Sequence, residues 1–155
     1  MPLLANVSFG IYALMPLGWA FMAAIVLLEI SLISRLLGGV WWKKEFMWPV
    51  IVANAVSGAI GFAVSLFMNG GWWLVVWMPW VSPNEVDVTT QFTVISIYYA
   101  GAFLISVVTE GVVEQLMLRR RAEKKKVWLA CVFSNIASYI LGGAVLYSWS
   151  FGLWR

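Results

Sequence analysis

Four long apolar segments constrain this chain more than any other feature of its sequence. They cover residues 11–37, 48–68, 92–118 and 127–149. Each segment is long enough to cross about 30 Å of hydrocarbon as an α-helix. Because only 11% of the residues are charged and 63% are hydrophobic, the chain cannot cover a water-soluble surface. The sequence therefore predicts an all-α integral membrane protein with four transmembrane helices in a single membrane domain, residues 1–155.

The basic residues predict how these helices are oriented. All ten Lys and Arg residues except Arg155 lie in or beside the connections that follow the first and third segments. The loop residues are Lys43, Lys44, Arg119, Arg120, Arg121, Lys124, Lys125 and Lys126. Positively charged loops normally stay in the cytoplasm and meet anionic lipid headgroups. We expect a bacterial inner or thylakoid-type membrane, both chain ends on its non-cytoplasmic side, and membrane lipids rather than nucleic acid as partners of this charge.

An internal repeat relates the two halves of the chain. A shift of 81 residues (110 − 29) superimposes the halves without a gap and matches scarce polar residues. It places Glu29 on Glu110, Asn54 on Asn135, and Ser57 on Ser138. The repeats are residues 11–68 and residues 92–149. Because each half holds two segments, both halves enter the membrane in the same direction, which predicts two parallel-repeated helical hairpins.

The repeated polar residues are expected to form one layer inside the membrane. Glu29 lies six residues before Arg35, and Asn54 lies six residues after Trp48, so both lie about 9 Å inward from the basic side. The predicted layer consists of Glu29, Asn54, Ser57, Glu110, Glu114, Asn135 and Ser138. Within it, Glu114 follows Glu110 by one helical turn and lies nearer to the basic loop.

This polar layer has two interpretations. A carboxylate in hydrocarbon costs several kcal/mol unless it is protonated or partnered. In the structural interpretation, hydrogen bonds between Glu and Asn side chains join the hairpins and fix their register. In the functional interpretation, two symmetric carboxylates form a proton or cation site. The segments offer few polar residues in the halves away from the basic loops, and this scarcity favours the structural interpretation.

The connection between the repeats, residues 69–91, is rich in tryptophan. Its candidate contact residues are Trp72, Trp73, Trp77 and Trp80. Tryptophan prefers the headgroup level of a bilayer, because its ring is apolar and its N–H needs a partner. The apolar part is too short to span, so we expect an interfacial segment on the non-cytoplasmic face. It serves either as a membrane anchor or as a docking surface for another membrane subunit.

The sequence offers little for catalysis or for cofactors. It has no His and a single Cys, Cys131, which removes the ligands of most haem, zinc, copper and iron–sulfur sites. No nucleophile–base pair or phosphate-binding loop is visible. We therefore predict no catalytic residue, no cofactor site, no metal site and no enzymatic activity.

Several short motifs are spread over both halves of the chain. They are Pro16-Leu17-Gly18, Glu29 with the Leu-rich end after it, Asn54 with Ser57 and Gly61, Glu110, and Asn135-Ile136-Ala137-Ser138-Tyr139. In these motifs the chain resembles the FraC-like filament integrity family of cyanobacteria. The resemblance implies a non-enzymatic membrane protein of multi-protein cell–cell junctions.

Two functions stay open at this point. The first is a non-catalytic scaffold or accessory subunit of a larger multi-protein membrane complex, which suits the short loops and the Trp-rich segment. The alternative is a small proton- or cation-coupled transporter or channel that uses Glu29 and Glu110 as carriers. Other membrane-protein subunits are the expected partners in the first case, and a homo-oligomer is an open alternative in the second.

Overall fold

The part of the chain that the computed structural model describes consists of residues 16–70 and 88–150, and these residues form four α-helices. The helices are α1 Pro16–Gly38, α2 Lys44–Gly70, α3 Val88–Leu118 and α4 Lys124–Ser150. The predicted all-helical class is therefore confirmed. The Trp-rich segment with Trp72, Trp73, Trp77 and Trp80 lies outside the described residues.

Three of these helices contain segments that are long and apolar enough to cross a membrane. The segments are Ala20–Gly38 in α1, Tyr99–Leu118 in α3 and Lys124–Ala144 in α4, with 19, 20 and 21 residues. About 20 apolar residues are needed to cross the hydrocarbon core as a helix. By length and composition, the chain is therefore suited to a location in a membrane.

Helices α2, α3 and α4 are longer than the apolar segments that predict them. Helix α2 begins at Lys44 rather than at residue 48, α3 at Val88 rather than at residue 92, and α4 at Lys124 rather than at residue 127. The extra turns contain polar residues such as Glu45 and Thr89. Hydropathy marks the apolar interval alone, whereas the helical hydrogen bonding continues beyond it.

The four helices pack in a ring. Each helix contacts the helices before and after it, and α1 closes the ring against α4. Within the described residues, the diagonal pairs α1–α3 and α2–α4 do not contact each other through their backbones. A side chain that points inward from α1 or α3 is therefore flanked by both α2 and α4.

Two short turns lie side by side at the basic end of the ring, by which we mean the end with residues 39–43 and 119–123. Helix α1 ends at Gly38, and the next residue, Gly39, has a φ of +74° that favours glycine and an N–H that donates to the Arg35 carbonyl (3.1 Å). Pro49 has no N–H to donate to the Glu45 carbonyl one turn earlier. That carbonyl instead accepts a hydrogen bond from the Arg121 guanidinium (2.8 Å), which ties the two turns together.

An apolar plug fills the ring between this basic end and the predicted polar layer. We give this name to seven buried residues that pack together: Ile30, Ile33, Phe46, Val50, Leu118, Val127 and Ala130. All four helices contribute to it. Burying such side chains excludes water and separates the interior of the ring from the basic turns.

Candidate functional site

Two buried carboxyl groups lie on diagonal helices, and each is held by an asparagine from a neighbouring helix. The Asn54 amide of α2 donates to the Glu29 carboxyl of α1 (Nδ2–Oε2 2.6 Å). The Asn135 amide of α4 donates to the Glu110 carboxyl of α3 (Nδ2–Oε2 2.8 Å). Both pairs are separated by 25 residues, so the same contact occurs in each half of the chain.

Two serines connect the same carboxyl groups in the other direction around the ring. The Ser57 hydroxyl of α2 donates to Glu110 (Oγ–Oε1 2.6 Å). The Ser138 hydroxyl of α4 hydrogen bonds with Glu29. Each carboxyl thus accepts one bond from an asparagine on one neighbour and one from a serine on the other. We call these six residues the polar circuit, because their bonds pass through all four helices.

Each asparagine is fixed by its own helix before it meets its glutamate. The Asn54 amide also donates to the Val50 carbonyl, and the Asn135 amide to the Cys131 carbonyl, both at 3.1 Å. Bonds of this kind to the carbonyl four residues earlier orient a polar side chain within a helix. The amide is thereby held at the depth of the carboxyl that it serves.

The polar circuit is enclosed on every side. Glu29 and Glu110 retain only 2% and 3% of their exposure, and the asparagines and serines of the circuit are also buried. Interhelical hydrogen bonds of this kind are each worth about 0.6 kcal/mol on average in a membrane, and up to about 2 kcal/mol. The energies are small, but buried polar groups tolerate few alternative partners, so the circuit specifies how the helices align.

A third carboxyl group stands apart from the circuit. Glu114, one turn after Glu110, is 0% exposed, and no N–H or O–H group donates to either of its carboxyl oxygens. The Cys131 thiol lies beside it as a weak donor, and the Val107 carbonyl is a second acceptor for the same thiol (Sγ–O 3.8 Å). The Asn135 side-chain oxygen is likewise buried without a partner. Two buried polar side chains with unsatisfied oxygens therefore lie on facing helices, Asn135 within the circuit and Glu114 next to it.

Glu114 also breaks the correspondence between the halves. The residue 81 positions earlier is Ile33, and the residue 81 positions before Cys131 is Val50. Both belong to the apolar plug. The second half thus carries a carboxyl and a thiol where the first half carries two hydrocarbon side chains.

The basic residues lie away from these carboxyl groups. Lys43, Lys44, Arg119, Arg120, Arg121, Lys124, Lys125 and Lys126 are all exposed at the basic end. Lys43 pairs with Glu45, and Lys126 pairs with Glu123 at 3.2 Å. No Lys or Arg of the described chain is buried, so none neutralises Glu29, Glu110 or Glu114. Within the described residues, these three carboxyl groups therefore have no basic side chain as a counter charge.

The sequence did not single out a second set of polar groups, on the side of the circuit away from the basic end. The Ser106 and Tyr139 hydroxyls are 2.9 Å apart between α3 and α4. The Tyr99 hydroxyl donates to the Tyr139 carbonyl, and the two tyrosine rings lie 5.0 Å apart. Their spacing in the sequence could have revealed this set, because residues 99, 106 and 110 follow one another by one or two helical turns on one face of α3.

The fold and the site together define an all-α protein suited to a membrane, with a closed polar circuit and one unpartnered carboxyl in its interior. Within the described residues, no group of three or more His, Cys, Asp and Glu side chains could hold a metal ion. Comparison with protein-family models, curated proteins and solved structures finds no match to this chain.

Proposed function

We propose that this protein is a non-catalytic scaffold or accessory subunit of a larger membrane assembly. The observation that carries the proposal is the polar circuit, in which Glu29 and Glu110 use the amides and hydroxyls of both neighbouring helices. These polar groups are engaged in holding four helices together. A subunit whose interior is fixed in this way offers a rigid apolar exterior to its neighbours.

The proposal includes four membrane spans arranged as two repeated hairpins. Helix α2 has 27 residues and is about 40 Å long, which is enough to cross a bilayer. It packs between α1 and α3, each of which has a segment suited to crossing. In this arrangement the basic end faces the cytoplasm, and both chain ends lie on the opposite side.

The exterior of the ring supports contact with lipid or with other subunits. Ile97 and Leu104 of α3 and Phe133 and Ile140 of α4 are each more than half exposed. Large exposed apolar faces of this kind require an apolar environment. The Trp-rich segment after α2 is the proposed docking surface. If the resemblance to the FraC-like family reflects common descent, the assembly belongs to a cell–cell junction.

The test is purification from the native membrane in a mild detergent, followed by native mass spectrometry. We expect the chain in a complex of fixed stoichiometry with other membrane proteins. Replacing Trp72, Trp73, Trp77 and Trp80 by Leu should release it. The matched control replaces Trp41, Trp42 and Trp48, which are exposed at the basic end, and should leave the complex intact. Recovery of the wild-type chain as a monomer without partners would refute the proposal.

A second function, a small proton- or cation-coupled transporter or channel, is favoured by Glu114. Three buried carboxyl groups lie close enough to interact electrostatically, and one of them has no partner. Membrane proteins rarely retain such groups, and those that do commonly use them to move protons or ions. In this function Glu29 and Glu110 are the carriers, and Asn54 and Asn135 are their ligands.

The second function is tested by flux into proteoliposomes that contain a pH-sensitive or cation-sensitive dye. The double substitution Glu29→Gln and Glu110→Gln should abolish the flux, because Gln keeps the shape of Glu but cannot exchange its charge. Glu123→Gln is the control, since Glu123 is exposed and pairs only with Lys126. Flux that survives the double substitution excludes this function.

A further inference from the structure

The second hairpin contains polar groups that the first hairpin lacks. Shifting by 81 positions places Ile25 on Ser106 and Gly58 on Tyr139. The same shift places Gly18 on Tyr99. The hydroxyl groups of Tyr99, Ser106 and Tyr139, which we call the hydroxyl lane, therefore have no counterpart between α1 and α2. The lane belongs to the same hairpin as the unpartnered Glu114.

The lane leads from the carboxyl groups toward the end of the ring opposite the basic turns. On α3, Ser106 lies one turn from Glu110, and Tyr99 lies two turns beyond Ser106. On α4, Tyr139 lies one turn from Asn135. Tyr139 is close enough to Glu110 and Glu29 to interact with them electrostatically. Ser96, one turn beyond Tyr99, continues the same face of α3.

The packing around the lane holds its hydroxyl groups between the helices. Gly142 leaves the space for Tyr99, because a Cβ at this position would lie 2.8 Å from the Tyr99 hydroxyl oxygen. The Phe103 ring packs edge-on against the Tyr139 ring at 5.2 Å. Tyr139 is therefore oriented by rings on α3, and its hydroxyl stays within reach of Ser106.

The opposite direction is mainly apolar. Toward the basic turns lie Leu118 and Val127 of the apolar plug, both no more than 1% exposed, whose side chains can neither donate nor accept a proton. The buried Ser34 hydroxyl on this side accepts the Lys43 N–H of the basic turn (3.3 Å). A hydroxyl group can do both at once, so hydroxyls are the side chains that suit proton exchange between buried acids and water.

The buried carboxyl groups of the interior need a proton or another cation to neutralise them, and a proton-exchange route would supply it. The titratable groups that face Glu110 in the described chain are Glu29 from α1, Glu114 from its own helix, and Cys131 and Tyr139 from α4. Helix α2 contributes only Asn54 and Ser57, which do not titrate. Three ionised carboxylates without a cation would cost several kcal/mol each. Protons are the smallest ligands that neutralise them.

We propose that the hydroxyl lane between α3 and α4 is a proton-exchange route that connects Glu110 and Glu114 with the end of the protein opposite the basic turns. A proton enters from water at that end and passes through the lane to the carboxyl groups. The apolar plug stops it there. The inference shares with the second function the Glu110 carboxyl and the choice of a proton as ligand. It requires no transport across the membrane, so it also holds for a scaffold whose assembly responds to protons.

The experiment follows hydrogen–deuterium exchange of the carboxyl groups by infrared spectroscopy of the protein in lipid nanodiscs. The C=O band of protonated carboxyl groups should be present in the wild type, weaker after Glu114→Gln, and shifted after transfer to D₂O. The double substitution Ser106→Ala and Tyr139→Phe should slow that shift about tenfold or more, because exchange then requires local opening of the helices.

Thr109→Val is the matched control. Thr109 is on the same helix, but its hydroxyl donates only to carbonyls of α3, so exchange should stay at the wild-type rate. If the double variant does not fold, Tyr139→Phe alone keeps the ring packing and removes the hydroxyl. Equal exchange rates in the wild type and the lane variants, or no protonated-carboxyl band in the wild type, would overturn the inference. If exchange is slower in the lane variants and the wild type shows no flux in proteoliposomes, the proton-exchange route is supported and the transporter function is excluded.

Discussion

Glu114→Leu is expected to make the folded protein more stable, by about 1–3 kcal/mol. The Glu114 carboxyl is fully buried, and the weak Cys131 thiol is the donor beside it, so folding removes the carboxyl from water with little compensation. Leu has a similar volume, and the equivalent position in the first half already carries Ile33. The free energy of unfolding can be measured by titrating the protein in mixed micelles with SDS and following helicity by circular dichroism.

Glu110→Leu is the matched control, and its effect should have the opposite sign. The side chain lies one turn earlier on the same helix and is equally buried. Its removal leaves the Ser57 hydroxyl and the Asn135 amide with only the carbonyl acceptors of their own helices, and this loss of the bonds between helices should lower the free energy of unfolding by about 1–3 kcal/mol. If both substitutions destabilise the protein equally, then Glu114 has a partner in the membrane that its present surroundings do not reveal.

The contrast between these two glutamates bears on function. A residue that destabilises the fold and could be replaced by leucine has no structural reason to be acidic. Functional sites are where proteins commonly keep such residues at the expense of stability. Stabilisation by Glu114→Leu, together with weaker exchange of the carboxyl groups, would assign Glu114 to proton binding rather than to the architecture.

Helical class and depth were accessible from sequence, because each depends on local information. Apolar segments of about 20 residues leave few alternatives to a helix that crosses a membrane. Counting residues from the basic end predicted similar depths for Glu29 and Asn54, and the structure places them in direct contact. The crossing of helix α2 and the repeat itself stay predictions.

The sequence did not predict which helices lie next to one another in the ring. Sequence spacing gives depth and helix face, but it does not determine which helices are neighbours. The bond from Ser57 to Glu110 joins different hairpins, and it depends on α2 packing against α3. The lane was missed for a related reason. Tyr99 and Tyr139 look like ordinary aromatic residues of a membrane helix until the ring brings their helices together.

Gly111→Ala is expected to destabilise the protein by about 1–3 kcal/mol, because it overpacks the contact between α3 and α4. A Cβ at this position would lie 2.5 Å from Cζ3 of the Trp128 ring. The ring cannot yield by a simple rotation, because its N–H donates to the Gln115 side chain one turn along α3. The helices must therefore separate, and this movement should weaken the neighbouring bond between Asn135 and Glu110.

Gly101→Ala provides the comparison on the same helix. No atom lies within 4 Å of a Cβ built at Gly101, so alanine fits without a clash. Because alanine also favours the helix, this variant should be more stable than the wild type by about 0.5–1 kcal/mol. Both variants can be compared by the same SDS titration. If Gly111→Ala is as well tolerated as Gly101→Ala, then Trp128 does not pack closely against α3, and the close approach of α3 and α4 that positions both the circuit and the lane would lose its main support.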